Sequence, residues 1–104
     1  MMQARLLAPA VAALAVGLSL AASAPTAVRI EGMKFEPATV TVERGATVTW
    51  NNRDVVPHTA TAAGKFDSGT IAPGQSFSRK MEQAGRFDYI CTYHPGMKGQ
   101  VVVK

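Results

Sequence analysis

Cysteine is almost missing from this chain. Among 104 residues there is one, Cys91, together with only two histidines and one tryptophan. A lone cysteine excludes an internal disulfide, so a small domain must find its staple elsewhere, and a bound metal is the usual substitute. Sustained helical periodicity is missing as well, which excludes a helical bundle. Runs of like charge are also absent: the 11 Lys and Arg residues are dispersed, and the formal net charge is +4. That spread argues against a nucleic-acid-binding stripe and is better suited to an acidic protein partner.

The N-terminal stretch reads as a leader. One positive charge lies between Met1 and Arg5, Leu6 to Ala22 is almost wholly Ala, Leu and Val, and Ala22-Ser23-Ala24 supplies a small-x-small cleavage pattern. A membrane anchor is the competing interpretation, but Pro9 and Gly17 interrupt the run. Residues 1–24 are therefore expected to be a signal peptide and 25–104 a single exported domain, with no membrane association after cleavage. In an exported protein an unpaired cysteine needs a reason, and metal ligation would be one.

The remainder alternates apolar and polar residues in short segments. Val28 to Ile30, Thr39 to Val42, Thr47 to Trp50, Ser76 to Arg79, Phe87 to Cys91 and Gln100 to Val103 read as strands, with Pro and Gly punctuating the gaps. The turn Glu43-Arg44-Gly45-Ala46 suggests a hairpin between the second and third of these. Many short strands without helices indicate an all-β domain, a sandwich or barrel of the Greek-key type. Strand parity places Phe87, Tyr89 and Cys91 on one face, so aromatics that point into the core carry the thiol inward with them. Ile90 falls on the opposite face, with no evident cover.

The sequence Cys91-Thr92-Tyr93-His94-Pro95-Gly96-Met97 sets a thiol, an imidazole and a thioether at C-x2-H-x2-M spacing. Pro95 and Gly96 are expected to reverse the chain there and let the three side chains converge. The other histidine, His58, follows Pro57 and could add a fourth donor from a neighbouring loop. Two imidazoles, one thiolate and one weak thioether suit copper in both oxidation states and serve hard cations poorly. Met33 and Met81 are expected to be packing residues. A lone His, Met or Cys is ordinarily unremarkable, but here the only cysteine and one of two histidines share a short loop. A Cys-His hydrolase would need a third partner and an oxyanion loop, neither of which is evident. A metal-free sandwich leaves the cysteine unexplained, and multicopper catalysis would need more histidines.

From about Val28 to Lys104 the chain resembles the cupredoxins, in particular the amicyanin-like members of the plastocyanin/azurin family. The resemblance rests on G-M-K-F-E-P-A-T-V-T-V at 32–42, G-A-T-V-T-W-N-N at 45–52, V-P-H at 56–58 and F-D-Y-I-C-T-Y-H-P-G-M-K-G at 87–99. It implies a Greek-key β-sandwich of about eight strands carrying one type 1 copper ion, with His58, Cys91, His94 and Met97 as ligands. It further implies a soluble, monomeric one-electron carrier rather than an enzyme, periplasmic or otherwise secreted, that meets redox partners such as a dehydrogenase or cytochrome only briefly. Electrons would pass through His94, and Pro57, Tyr93, Pro95 and Gly96 would form a weakly polar docking patch. A periplasmic copper carrier or chaperone is the alternative. One departure stands out: where similar proteins commonly have Asn after the first ligand histidine, this chain has Thr59, which puts the tie between the two ligand loops in doubt.

Overall fold

The computed structural model describes residues 26–104, so the expected signal peptide at 1–24 lies outside the described residues. Nine strands and no helix make up the described domain. They are β1 (Thr26–Glu31), β2 (Lys34–Glu36), β3 (Thr39–Val42), β4 (Thr47–Asn52), β5 (Thr61–Ala62), β6 (Phe66–Asp67), β7 (Ser76–Lys80), β8 (Gly85–Cys91) and β9 (His94–Val103). One sheet has the order β2-β1-β4-β7 and the other β3-β9-β8-β5-β6. The expected sandwich is therefore present, and the three strands beyond the six read from alternation are β2, of three residues, and β5 and β6, of two residues each.

Alternation in the sequence becomes alternation in burial. Val28 and Ile30 of β1, Val40 and Val42 of β3, Val48 and Trp50 of β4, and Tyr89 and Cys91 of β8 all point into the space between the sheets. Trp50 sits at the centre, fully buried, with its ring 5.4 Å from Tyr89 in an edge-on arrangement, 5.5 Å from Phe66 and 5.7 Å from Phe77. Burying a side chain of this kind contributes roughly 1.5–3 kcal/mol. Burial also pushes the Tyr89 hydroxyl up to about 12. Met81 is buried as expected, but Met33 is 41 % exposed and is not a packing residue. It occupies the β1–β2 turn, where its side chain faces outward.

The hairpin expected across Glu43–Ala46 does not form. β3 pairs in parallel with β9, whereas β4 pairs in parallel with β1 and antiparallel with β7, so the turn carries the chain from one sheet to the other. Alternation identifies a buried face but not the sheet it belongs to, and here both faces line the same core from opposite sides. Backbone bonds fix the crossover: the Gly45 N–H donates to the Met81 carbonyl at 2.7 Å, and the Met81 N–H donates to the Ala46 carbonyl at 2.8 Å. The turn before β8 likewise links strands of different sheets. Ile90, unaccounted for in the sequence, lies beside Thr61 of β5 and Lys98 of β9 and is half-buried there.

β8 and β9 form the longest antiparallel pair, and Gly99 stands opposite Tyr89 in it. A Cβ at Gly99 would lie 2.2 Å from the Tyr89 ring, so only glycine fits. Gly99→Ala is expected to destabilise the copper-free protein by about 1–3 kcal/mol through overpacking. At Gly96 a Cβ would meet nothing within 4 Å, and Gly96→Ala should change stability by less than about 0.5 kcal/mol. Urea unfolding of the two variants checks this, and equal losses would contradict it.

Candidate metal centre

One pole of the sandwich is organised from Asn52, the last residue of β4. Its side chain is buried, donates to the carbonyls of Val56 and Ile71 at 2.9 Å each, and accepts the Asp54 N–H at 2.9 Å. These bonds fold residues 53–57 over the pole and deliver Pro57 and His58 to it. His58 is then pinned by a reciprocal backbone pair with Ile71, at 3.1 and 2.7 Å. No solvent reaches its side chain.

The second donor segment comes from the β8–β9 hairpin. Parity holds here: Tyr89 and Cys91 are both buried, and Cys91, at the end of β8, has no exposed surface. The chain reverses at Thr92–Tyr93, not at Pro95–Gly96 as expected, since β9 already begins at His94. An irregularity in register between Ile90 and Cys91 sets Cys91 directly across from His94, and such bulges redirect side chains at the ends of sheets. Pro95 and Gly96 are exposed strand residues, His94 is partly exposed, and Met97 returns to the buried side.

Two loops distant in sequence thus meet. His58 Nδ1 lies 3.6 Å from Cys91 Sγ, and the His58 and His94 ring centroids are 5.5 Å apart. Among the described residues no three His, Cys, Asp or Glu side chains close on a single point; His58 and Cys91 are in contact while His94 approaches from the rim. Met97 is buried three residues beyond His94. The donor chemistry fits a copper ion: the thiol is sealed from solvent and receives the Thr59 N–H at 3.4 Å, a contact that suits a thiolate.

Asp54 is the participant that the sequence did not reveal. Its carboxylate lies 2.7 Å from His58 Nε2 and accepts the N–H groups of Gly32 and Met33 at 2.7 and 3.1 Å. Burial pushes this carboxyl upward, but the Met33 N–H, the His58 ring and the Gly32 N–H together outweigh it and hold the group below the usual carboxylate range. The only sequence signal was an acidic residue four positions before a histidine.

Thr59 resolves the doubt raised by the missing Asn. Its Oγ1 accepts the Thr92 N–H at 2.9 Å and lies within hydrogen-bond distance of the Thr61 hydroxyl at 3.0 Å and the Thr92 hydroxyl at 3.1 Å. A threonine therefore ties the His58 and Cys91 loops together. Thr59→Val keeps the shape but leaves the Thr92 N–H without its acceptor, and should destabilise the copper-free protein by about 1–3 kcal/mol. Chemical denaturation measures the loss; an unchanged midpoint would show that the tie contributes nothing.

Comparison with known proteins identifies the family. Residues 22–104 match the family described as copper binding proteins, plastocyanin/azurin family. Amicyanin-alpha of Methylorubrum extorquens is 39 % identical over 109 residues, covering 91 % of this chain and 88 % of that protein. The chloroplastic plastocyanin of Tetradesmus obliquus is 38 % identical over 107 residues, covering 85 % of this chain and 74 % of the plastocyanin. Among solved structures, the Cu(I) form of a methionine-to-alanine variant of amicyanin superposes with a TM-score of 0.72 at 36 % identity, over 77 % of this chain and 82 % of that one. The chain belongs to the plastocyanin/azurin family of copper-binding proteins.

Proposed function

We propose that this protein is a one-electron carrier whose single type 1 copper ion is held by Nδ1 of His58, Sγ of Cys91, the imidazole of His94 and the thioether of Met97. The observation that carries the reading is the contact between His58 Nδ1 and Cys91 Sγ, 3.6 Å apart with both side chains sealed from solvent. When bound, copper supplies a centre that accepts and releases one electron.

The chain's own residues make that exchange easy. His58 and Cys91 are fixed by strand pairing and by the Thr59 tie, so the donors need to move little when the charge changes. The Thr59 N–H offsets part of the charge on the sulfur. His94 is partly exposed at the rim, whereas His58, Cys91 and Met97 are buried, so electrons would pass through His94. Tyr93, Pro95 and Gly96 flank it in the chain and are exposed, and Val55, which is 92 % exposed, Val56 and Pro57 are exposed in the loop that leads into His58. This weakly polar patch suits brief contact with a redox partner such as a dehydrogenase or cytochrome.

The relationship to amicyanins and plastocyanins supports a carrier rather than an enzyme. The family relationship and the leader-like N-terminus support a monomer working in the periplasm or outside the cell. The copper-chaperone alternative is disfavoured by burial, because rapid metal exchange needs exposed donors, and His58 and Cys91 are 0 % and Met97 6 % exposed. Loading with Cu(II) should give an intense thiolate-to-copper charge-transfer band that bleaches and returns on reduction and reoxidation. Cys91→Ser should abolish the band. Val55→Lys should keep it while slowing transfer to a cognate partner at least severalfold. A colourless wild-type Cu(II) protein would contradict the reading.

A further inference from the structure

We propose that Asp54 is a positioning residue of the copper site, fixing the tautomer and orientation of His58 while clamping the β1–β2 turn to the same pole. This rests on the electron-carrier reading for its redox consequence, but its structural core concerns the metal-free chain.

The argument is one of donors and acceptors. An ionised carboxylate can only accept, and the backbone N–H groups of Gly32 and Met33 can only donate. They occupy Oδ1 at 2.7 Å and Oδ2 at 3.1 Å. His58 Nε2, 2.7 Å from the same Oδ2, must therefore present a hydrogen to it. With the proton on Nε2, the neutral ring carries its lone pair on Nδ1, the nitrogen facing Cys91 Sγ. Asp54 thus determines which nitrogen is available to a metal.

The clamp is set up by the backbone. Gly32 and Met33 form the two-residue connection between β1 and β2, with φ of +62° and +59°. Consecutive residues of this conformation direct adjacent N–H groups to one side, a concavity that attracts an anion. Methionine disfavours the left-handed region, and the Asp54 carboxylate compensates by accepting its N–H. Asp54 is held in turn, because its own N–H donates to the buried Asn52 side chain at 2.9 Å. The carboxylate side chain is only 13 % exposed. Two segments distant in sequence, the β1–β2 turn and the connection between β4 and β5 that carries Asp54 and His58, meet on one functional group.

A carboxylate behind a ligating imidazole raises its basicity and sets negative charge near the ion, which favours the more highly charged oxidation state. Asp54→Asn keeps the size but leaves three N–H donors competing for one acceptor oxygen. In copper-free wild-type protein, ring 15N shifts should report His58 as a single Nε2–H tautomer. In Asp54→Asn they should report a mixture. Cu(II) affinity should fall about tenfold relative to Cu(I) affinity, which corresponds to a reduction potential higher by about 59 mV.

Met33→Gly relieves the left-handed residue without touching the carboxylate, so it should keep the wild-type tautomer and potential and be at least as stable. A wild-type copper-free His58 protonated on Nδ1 would overturn the proposal, and this measurement decides even if Asp54→Asn fails to fold. So would an Asp54→Asn protein with unchanged tautomer and potential, or a Met33→Gly protein whose potential shifts as much. A wild-type protein that forms no blue centre would instead overturn the carrier reading and leave the tautomer result standing.

Discussion

The contact between the His58 ring and the Cys91 sulfur organises everything else at the pole. These residues are 33 apart in sequence and reach each other at 3.6 Å with no solvent between them. Two buried polar groups would ordinarily be a liability, since each loses its hydration without full compensation. Here the surroundings are built to compensate: Asp54 engages the outer nitrogen of the ring, and the Thr59 N–H engages the sulfur. His58 Nδ1 and Cys91 Sγ are left facing each other, and they are the atoms a soft metal ion would take.

Rigidity follows from the way the two donor segments are anchored. The His58 side is held by Asn52, whose amide bridges the 53–57 loop and the strand-like segment at Ile71. The Cys91 side is held by the β8–β9 pairing, with Gly99 leaving room for the Tyr89 ring against the core. Thr59 and Thr92 then lock the two sides to each other. An electron carrier benefits from such an arrangement because every displacement of a donor during charge transfer adds to the barrier.

Legibility in the sequence varied with how local the determining physics was. Burial of Tyr89 and Cys91 depended only on strand parity, and it was readable from five consecutive residues. Sheet membership of β3 and β4 was not, because Val40, Val42, Val48 and Trp50 alternate in the same way whether their strands pair or face each other across the core. The reversal at Thr92–Tyr93 depends on a register irregularity beside Cys91 that favours no particular residue type. Asp54 was out of reach because its role depends on Gly32 and Met33, more than twenty positions earlier. Thr59 was noticed as a departure, but the hydroxyl's substitution for an amide emerges only when Thr92 is seen beside it.

The convergence of donors from two separate loops on one ion is the central claim, and X-ray absorption at the copper edge of the loaded protein tests it most directly. The account predicts a nearest shell of one short sulfur contact and two imidazole nitrogens, with the sulfur lost when Cys91 is replaced. A shell of nitrogen and oxygen alone, or only one imidazole, would contradict it.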